Sequence, residues 1–212
     1  MGITERKARE KERRKNEIID AAERVFFSKG LANATMDDVA EEAELSKGTL
    51  YLYFKSKEDL YLAINYRGTL ILKSMFEQAV AKQETGFDKT RAVGEAYFEY
   101  YKKYPDYFNA MLYYESTEID YTDQESFAFE CSMKGKETLD VLIKAIKTGI
   151  QDGTIRPEID PVKTAIILWG QSTGIIQLIA LRGEALKFVH NVKPEEVMAY
   201  CFDLIGESLR AK

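Results

Sequence analysis

The sequence predicts an all-α protein of about nine helices, with a three-helix N-terminal head and a larger C-terminal helical body. Apolar residues recur at the spacing of one buried helix face in segment after segment of the 212-residue chain. Several segments begin with a helix start signal: a Ser, Thr or Asp N-cap, followed by an acidic residue three positions later or by Pro. The length is enough for one large or two small domains, each with its own core.

The first predicted helix runs from about Lys15 to Lys29 and ends at Gly30, a residue typical of a helix C-cap. Its buried face consists of Ile18, Ile19, Ala22, Val25 and Phe26. Residues 1–14 are rich in Arg and Lys and have two interpretations: a flexible basic arm, or a forward extension of this helix. The sequence alone leaves both open.

The stretch from Thr35 to Phe54 predicts two short helices joined by a tight turn. Thr35 and Asp38 form the reciprocal capping pattern of the first helix, and Ser46 caps the second. In the second helix Leu50 and Phe54 face inward at i and i+4. The residues left on the outside are Lys47, Gly48, Thr49, Tyr51 and Tyr53.

Two such helices are typical of a helix-turn-helix, in which the second helix lies in a DNA groove. Small residues at its N-terminal end allow close approach to base edges, and Lys, Thr and Tyr side chains reach phosphate oxygens. The alternative is that any two short amphipathic helices joined by a turn share this pattern. Residues 1–14 would then be a solvated tail, whereas beside DNA they would contact a minor groove or phosphates.

The pattern from Gly30 to Leu60 favours the DNA-binding interpretation: G-L-x-x-A-T-M-x-x-V-A-x-x-A-x-L-S-K-G-T-L-Y-x-Y-F-x-S-K-E-D-L. It closely resembles the signature of the tetracycline-repressor (TetR) family of bacterial transcriptional regulators. The resemblance covers roughly Arg14 to Lys73. Glu44 departs from it, since many family members carry Gly at this position, where the turn is expected to need a left-handed backbone.

The resemblance implies a set of DNA contacts in this chain. It places Gly48 and Thr49 nearest to base edges, with Lys47 and Tyr51 able to contribute there. Most of the remaining contacts are expected at phosphates, from Thr35, Ser46, Lys47, Tyr51, Tyr53 and Lys57. Lys57 is expected to be exposed at the first turn of the next helix.

That next helix is predicted from about Lys57 to Lys82, because Ser56 and Asp59 form a second start signal. It would link head and body. We therefore predict a DNA-binding domain at residues 1–57, with the basic arm at 1–14, and a ligand-binding and dimerisation domain at 58–212.

The segment from Tyr97 to Phe129 holds 12 of the 25 aromatic residues. Aromatic residues at helical spacing usually fill a core, but large rings among short helices also suit the wall of a small-molecule site. The candidates for that site are Tyr97, Tyr101, Met111, Tyr114, Phe127, Met133, Trp169 and Gln177. They predict an unknown effector of hydrophobic or aromatic character, while Glu115 and Glu118 could favour a cationic one.

Four more helices are expected in the body. The first runs from Asp88 to Tyr104, where Pro105 closes it, and a second opens at Thr122 and runs to Gln151. Pro161, after the cap Asp160, begins a third that contains eighteen mostly apolar residues, 164–181. A membrane span is the less favoured explanation of that run, because Gln171, Ser172, Thr173 and Gln177 would need partners in lipid. We expect a homodimer through about 161–182 and 194–211, as the family resemblance also implies.

The distribution of charge, the cysteines and the absence of catalytic motifs limit the classes of function that the sequence fits. The net charge is −5, yet residues 1–15 carry seven Lys and Arg against three Asp and Glu, so basic charge lies near the expected DNA-binding head. Cys131 and Cys201 are far apart, which predicts reduced thiols in a cytosol, with a redox sensor as the less favoured alternative. No signal peptide, metal-ligand cluster, cofactor motif or catalytic constellation is found, and His190 is expected in a polar loop.

Together these features predict a cytoplasmic regulator that is not an enzyme. We expect a repressor that binds a palindromic double-stranded DNA operator as a dimer and is released by a small molecule. The alternative is a small-molecule binding protein whose DNA-binding head is not functional.

Overall fold

A computed structural model describes residues 2–116 and 122–211, apart from the side chain of Ile3. Within these residues the chain forms nine α-helices and no strand, so the predicted all-α class is confirmed. They are α1 (Ile3–Lys29), α2 (Met36–Glu42), α3 (Lys47–Tyr51), α4 (Lys57–Val80), α5 (Gly86–Lys103), α6 (Pro105–Glu115), α7 (Phe127–Gln151), α8 (Pro161–His190) and α9 (Pro194–Leu209).

The chain divides into two compact units. The head unit comprises Met1–Gly68 and Asp106–Cys131, and the body unit comprises Thr69–Pro105 and Ser132–Lys212. This division differs from the predicted boundary after residue 57, because the first half of α4 and nearly all of α6 belong to the head unit. Leu60 and Ile64 of α4 are fully buried in the head core, and so is Ala110 of α6.

The head core is built by one apolar face from each of its helices. Ile18 and Ala22 of α1, Val39 of α2 and Leu50 of α3 are completely buried. These residues follow the helical spacing that the sequence shows, so periodicity alone predicts this core. The short helix α3 owes its place to this burial, since an isolated five-residue helix is not stable in water.

Helix α1 begins at Ile3, so the basic segment is a forward extension of the first helix and not a flexible arm. Residues 4–13 are exposed on all sides. The ammonium of Lys15 lies 5.0 Å from the centroid of the Phe127 ring, where a cation is attracted by the ring face. The helix ends at Gly30, whose amide donates to the Phe26 carbonyl at 2.9 Å.

The turn between α2 and α3 needs a left-handed residue, as predicted. Glu44 has φ 54°, its amide donates to Glu41, and the amide of Leu45 donates to Ala40. This is the Schellman arrangement, which usually carries Gly at the left-handed position. Leu45 then packs against the head core and fixes the angle between the two helices.

The helix cap that the sequence predicts at Asp160 is present. Asp160 accepts from the amides of Val162 and Lys163, and Pro161 occupies the first position of α8. The helix predicted to open at Thr122 begins instead at Phe127, because Ser126 caps it by accepting from the Phe129 amide. Thr122 lies in the preceding turns, where its carbonyl accepts from Gln124.

Helix α8 continues beyond the predicted apolar run to His190, which is therefore an exposed helix end and not a loop residue. Among the described residues it is the one helix that is long and apolar enough to span a bilayer, by length and composition only. Its exposed apolar side chains include Ile166, Ile167, Leu178, Leu181, Phe188 and Val189. The neighbouring α9 adds Tyr200 and Leu204.

The left-handed backbone of Glu44 generates a stability prediction. We expect Glu44→Gly to be neutral or to raise the free energy of unfolding by up to about 1 kcal/mol, because glycine adopts this conformation without strain. Ala43→Gly is the matched control: Ala43 has φ −83°, so glycine there should lower stability by roughly 0.5–1 kcal/mol. Urea denaturation measures both, and a clear loss of stability in Glu44→Gly would contradict the prediction.

Candidate nucleic-acid interface and ligand cavity

The predicted capping box fixes the start of α2. The Asp38 amide donates to Thr35 Oγ1 at 3.2 Å, and Asp38 Oδ2 accepts from the Thr35 amide at 2.9 Å. Lys29 Nζ donates to the other Asp38 oxygen at 2.8 Å. The bonds from Lys29 and Thr35 lower the pKa of the Asp38 carboxyl to about 2. Thr35 itself remains exposed at the helix N-terminus.

Ser46 starts α3 as predicted, because its hydroxyl accepts from the Thr49 amide at 3.1 Å. The Ser46 and Thr49 hydroxyls are also hydrogen-bonded to each other at 2.8 Å. On the opposite side Leu50 and Phe54 are buried in the head core. The cap and the buried pair thus fix which face of α3 is turned to solvent.

That solvent face carries Lys47, Gly48 and Tyr51. Tyr51 is 48% exposed, and Lys47 Nζ donates to Asp37 at 2.6 Å on the surface. A methyl group at Gly48 would meet only Ser46 Oγ, at 3.9 Å, so the fold does not require glycine there. Tyr53 is different: α3 ends at Tyr51, and Tyr53 lies half-buried against the head core.

Lys57 is not the exposed residue that the sequence predicts. It is half-buried, and its ammonium donates to the carbonyls of Leu31 at 2.8 Å and Ala34 at 3.3 Å. The loop after α1 leaves these carbonyls without helical partners, and the lysine satisfies them. Lys55, which the sequence reasoning passed over, is the exposed lysine next to α3, and its amide is held by Asp59 at 3.0 Å.

A polar network joins α1 to α4 and α6 within the head unit. Arg67 of α4 pairs with Asp20 at 2.6 Å and with Glu23 at 2.9 Å. The Tyr107 hydroxyl of α6 donates to the other Glu23 oxygen at 2.7 Å. Burial and this bond raise the pKa of the Tyr107 hydroxyl.

The predicted ligand-lining residues are distributed over both units, and Glu118 lies outside the described residues. Met111, Tyr114 and Phe127 belong to the head unit, where the Tyr114 hydroxyl donates to Ala128 and Phe127 packs on the Tyr66 ring. In the body unit Met133 is 42% exposed. Tyr101 lines a separate open groove, and Gln177 is half-buried outside the cavity.

Tyr97 and Trp169 are the two candidates that line a common cavity, of about 50 Å³, inside the body unit. Their rings stack with centroids 4.8 Å apart, and the Tyr97 hydroxyl is hydrogen-bonded to Thr173 Oγ1 at 2.9 Å. Six other apolar wall residues come from helices outside the aromatic segment: Phe76, Leu142, Leu168, Phe202, Ile205 and Leu209. Each looks like an ordinary core residue in the sequence, so no local signal marks it.

Among the described residues that line the cavity, one carries a charge. Arg91 donates from Nε to Glu95 at 3.0 Å and from Nη1 to Asp203 at 3.2 Å. Ser172 also lies in the wall and is buried, and its hydroxyl has no hydrogen-bond partner among the described residues. The site can therefore accept an apolar group with a limited number of polar contacts.

Cys131 and Cys201 are both free thiols. Cys131 is buried, and burial and Glu130 raise the pKa of its thiol to about 12, which makes it a poor nucleophile. Burial also raises the pKa of the Cys201 thiol. No cluster of three His, Cys, Asp or Glu residues suited to a metal ion is found within residues 2–116 and 122–211.

A head that presents the second helix of a helix-turn-helix, followed by a helical body, defines the class of DNA-binding transcriptional regulators. The family profile described as "Bacterial regulatory proteins, tetR family" matches residues 18–64. The uncharacterized HTH-type transcriptional regulator YhgD of Bacillus subtilis is 32% identical over 159 residues, which cover 73% of this chain and 78% of YhgD. The chain belongs to the tetR family, as its sequence pattern predicts.

Two further proteins are similar. The HTH-type transcriptional activator FasR of Mycolicibacterium smegmatis is 36% identical over 90 residues, 42% of this chain, so the chain spans about two fifths, 41%, of that relative. The crystal structure of the transcriptional regulator FadR from Bacillus subtilis with stearoyl-CoA has a TM-score of 0.70 at 19% identity, over 89% of this chain and 95% of FadR. This likeness shows a common fold.

The lowered pKa of Asp38 predicts a pH dependence. A carboxyl whose pKa is depressed in the folded state stabilises the fold above its ordinary pKa of about 4, and the stabilisation is lost as pH falls towards 2. We expect Asp38→Asn to have a lower melting temperature than the unmodified protein at pH 7, with the gap shrinking towards pH 2. Glu41→Gln on the exposed face of α2 is the control, and a gap that does not change with pH would contradict the prediction.

Proposed function

We propose that the chain is a cytoplasmic repressor that binds a near-palindromic operator as a homodimer and releases it when a small molecule binds the body unit. The observation that carries the proposal is the solvent face of α3. Lys47, Gly48 and Tyr51 are directed outward by the buried Leu50 on the opposite side. Such a face fits a major groove, where a small residue permits close approach and flanking side chains reach phosphates.

The remaining residues predicted to contact DNA differ in how exposed their side chains are. Thr35 and Ser46 are exposed at helix starts and suit phosphate contacts, and Thr49 lies beside Ser46. Tyr53 would contribute only its exposed edge. Lys57 would have to leave two carbonyls to reach a phosphate, so Lys55 is the better candidate for that contact.

The exposed apolar face of α8 supports a homodimer. Ile167, Gly170, Gly174, Leu178 and Leu181 follow one another at three- and four-residue spacing along one side of the helix, and all are exposed. A methyl group at either glycine would meet no atom within 4 Å, so there is room for the backbone of a second copy. A two-fold axis would place two α3 helices in successive major grooves, about 34–36 Å apart.

Effector release is proposed to act through α4, which is one continuous helix from Lys57 to Val80. A ligand that favours one position of α4 would change the separation of the two heads. A coupling of about 1–3 kcal/mol is enough to change operator occupancy several-fold or more. FadR, which shares the fold, was crystallised with an acyl-CoA, which supports a small-molecule effector here.

One observation favours the alternative of a ligand-binding protein with a non-functional head. The ammonium groups of both Lys47 and Lys57 are held by acceptors within the head unit. This alternative predicts ligand binding without retardation of any genomic DNA fragment. The regulator predicts salt-dependent retention of specific fragments.

The α3 face yields a DNA-binding prediction. With operator fragments selected from genomic DNA by the unmodified protein, we expect Tyr51→Ala and Gly48→Gln each to weaken binding on the order of tenfold or more, a loss of about 1.4 kcal/mol. The first removes an exposed contact, and the second fills the space that a base edge would occupy. Electrophoretic retardation at fixed salt measures both.

Gly135→Gln is the matched control, since Gly135 is an exposed helical glycine of α7 with no atom within 4 Å of an added methyl group. It should leave both melting temperature and DNA binding unchanged or slightly raise stability. Equal DNA affinity in all three variants would count against α3 as the recognition helix.

The α8 face yields an assembly prediction. We expect Leu178→Lys to convert a dimer into a folded 24.3 kDa monomer, because the lysine would be buried without a partner in the interface. Met133→Lys replaces a side chain of similar exposure on α7 and should remain dimeric. Analytical ultracentrifugation separates the outcomes, and a dimer in both variants would place the interface elsewhere.

A further inference from the structure

We propose that the cavity of the body unit binds an acyl chain that carries an anionic head group, with the chain between Tyr97 and Phe202 and the anion on Arg91. This inference rests on the proposed function, because it takes the cavity to be the effector site. It adds the chemical class of the effector and the residue that recognises its charge.

The apolar wall defines the buried part of the ligand. The hydroxyls of Tyr97 and Thr90 are already bonded, to Thr173 Oγ1 and to the Gly86 carbonyl at 2.8 Å. A strongly polar ligand core would therefore lose its water contacts without replacement. Ser172 is the one hydroxyl of the wall that remains for a ligand oxygen, such as that of an acyl carbonyl.

Arg91 defines the charged part of the ligand. Its guanidinium has five N–H donors in a planar fork that suits carboxylate and phosphate, and the bonds to Glu95 and Asp203 engage Nε and Nη1. Both carboxylates are more than half exposed, so these ion pairs contribute little and can exchange with a ligand anion. The guanidinium of Arg210, 4.5 Å from the Phe87 ring centroid on the cavity wall, adds positive charge.

The entrance is proposed at Phe202. The cavity of about 50 Å³ is too small for more than a few carbon atoms, so a chain must displace a wall side chain. The ring of Phe202 is half-buried and lies against Gly94, where an added methyl group would approach it to 2.9 Å.

The same movement frees Arg91. Asp203, which binds Arg91, is the neighbour of Phe202 in α9, and Gly94 lies one turn after Arg91 in α5. An anion that takes Arg91 from Asp203 thus releases the segment that holds the Phe202 ring in place. Binding of the head group and opening for the chain become one event.

Trp169 provides the readout, because it is the single tryptophan of the chain and lines the cavity. The full-length protein is titrated with dodecanoate and dodecylammonium below their micelle concentrations and with 1-dodecanol below its solubility limit, and Trp169 fluorescence is recorded. We expect a saturable change with dodecanoate, at least fivefold tighter than with the alcohol, and weaker binding of the ammonium.

Two pairs of variants locate the site. Arg91→Gln should weaken dodecanoate at least fivefold and leave dodecanol unchanged, whereas Lys147→Gln, which removes an exposed charge of α7, should change neither. Ser172→Leu should abolish binding of dodecanoate and dodecanol by filling the cavity, and Ser172→Ala should still bind the alkyl chain of each. Melting temperatures verify that each variant is folded. If Ser172→Leu does not fold, Arg91→Gln still tests whether Arg91 binds the anionic head group.

Three results would overturn the inference: no saturable fluorescence change, equal affinity for all three probes, or no effect of Arg91→Gln. Its failure is distinguishable from failure of the proposed function. Dodecanoate binding without any retained DNA fragment would support the ligand site and contradict the proposed regulator. Retained operator DNA with no dodecanoate binding would support the regulator and contradict this class of effector.

Discussion

The burial of Leu50 and Phe54 in the head core is the constraint on which the orientation of α3 and its solvent face depends. Helix α3 has five residues and cannot be stable by itself. Its orientation is therefore set by the residues it buries and by the Ser46 cap. Gly48 has open space around it, so no contact within the fold requires glycine at this position.

Features that depend on local sequence were predictable. The caps at Thr35, Ser46, Ser56 and Asp160 and the left-handed position at Glu44 each follow from a few neighbouring residues. The behaviour of Lys57 was not, because the carbonyls it binds lie more than twenty residues earlier in the chain. Tyr53 was expected on the outside, but α3 ends two residues before it. The tighter turn that follows, in which the Leu52 and Tyr53 amides donate to Thr49 and Leu50, rotates Tyr53 towards the core.

The ligand candidates fall in two different units for a topological reason. The aromatic segment is continuous in sequence, but the chain passes from the body unit to the head unit at Pro105 and Asp106. Tyr97 stays with Trp169 in the cavity wall, whereas Tyr114 and Phe127 pack in the head unit. The remaining wall of the cavity comes from α4, α7, α8 and α9 and from the first half of α5. Residues so far apart in the sequence carry no local pattern that marks them as one site.

A polar network within the head unit holds α1 to two other helices. Helices α4 and α7 cross the division between the units, and α6 enters the head unit just after Pro105. Arg67 of α4 and Tyr107 of α6 both bind the carboxylate of Glu23, one through each oxygen. Both helices therefore contact the same residue of α1, the helix that packs against α2 in the head core. Glu23 thus ties two other helices of the head unit to α1, and the hydrogen bonds of Glu44 and Leu45 fix the turn between α2 and α3.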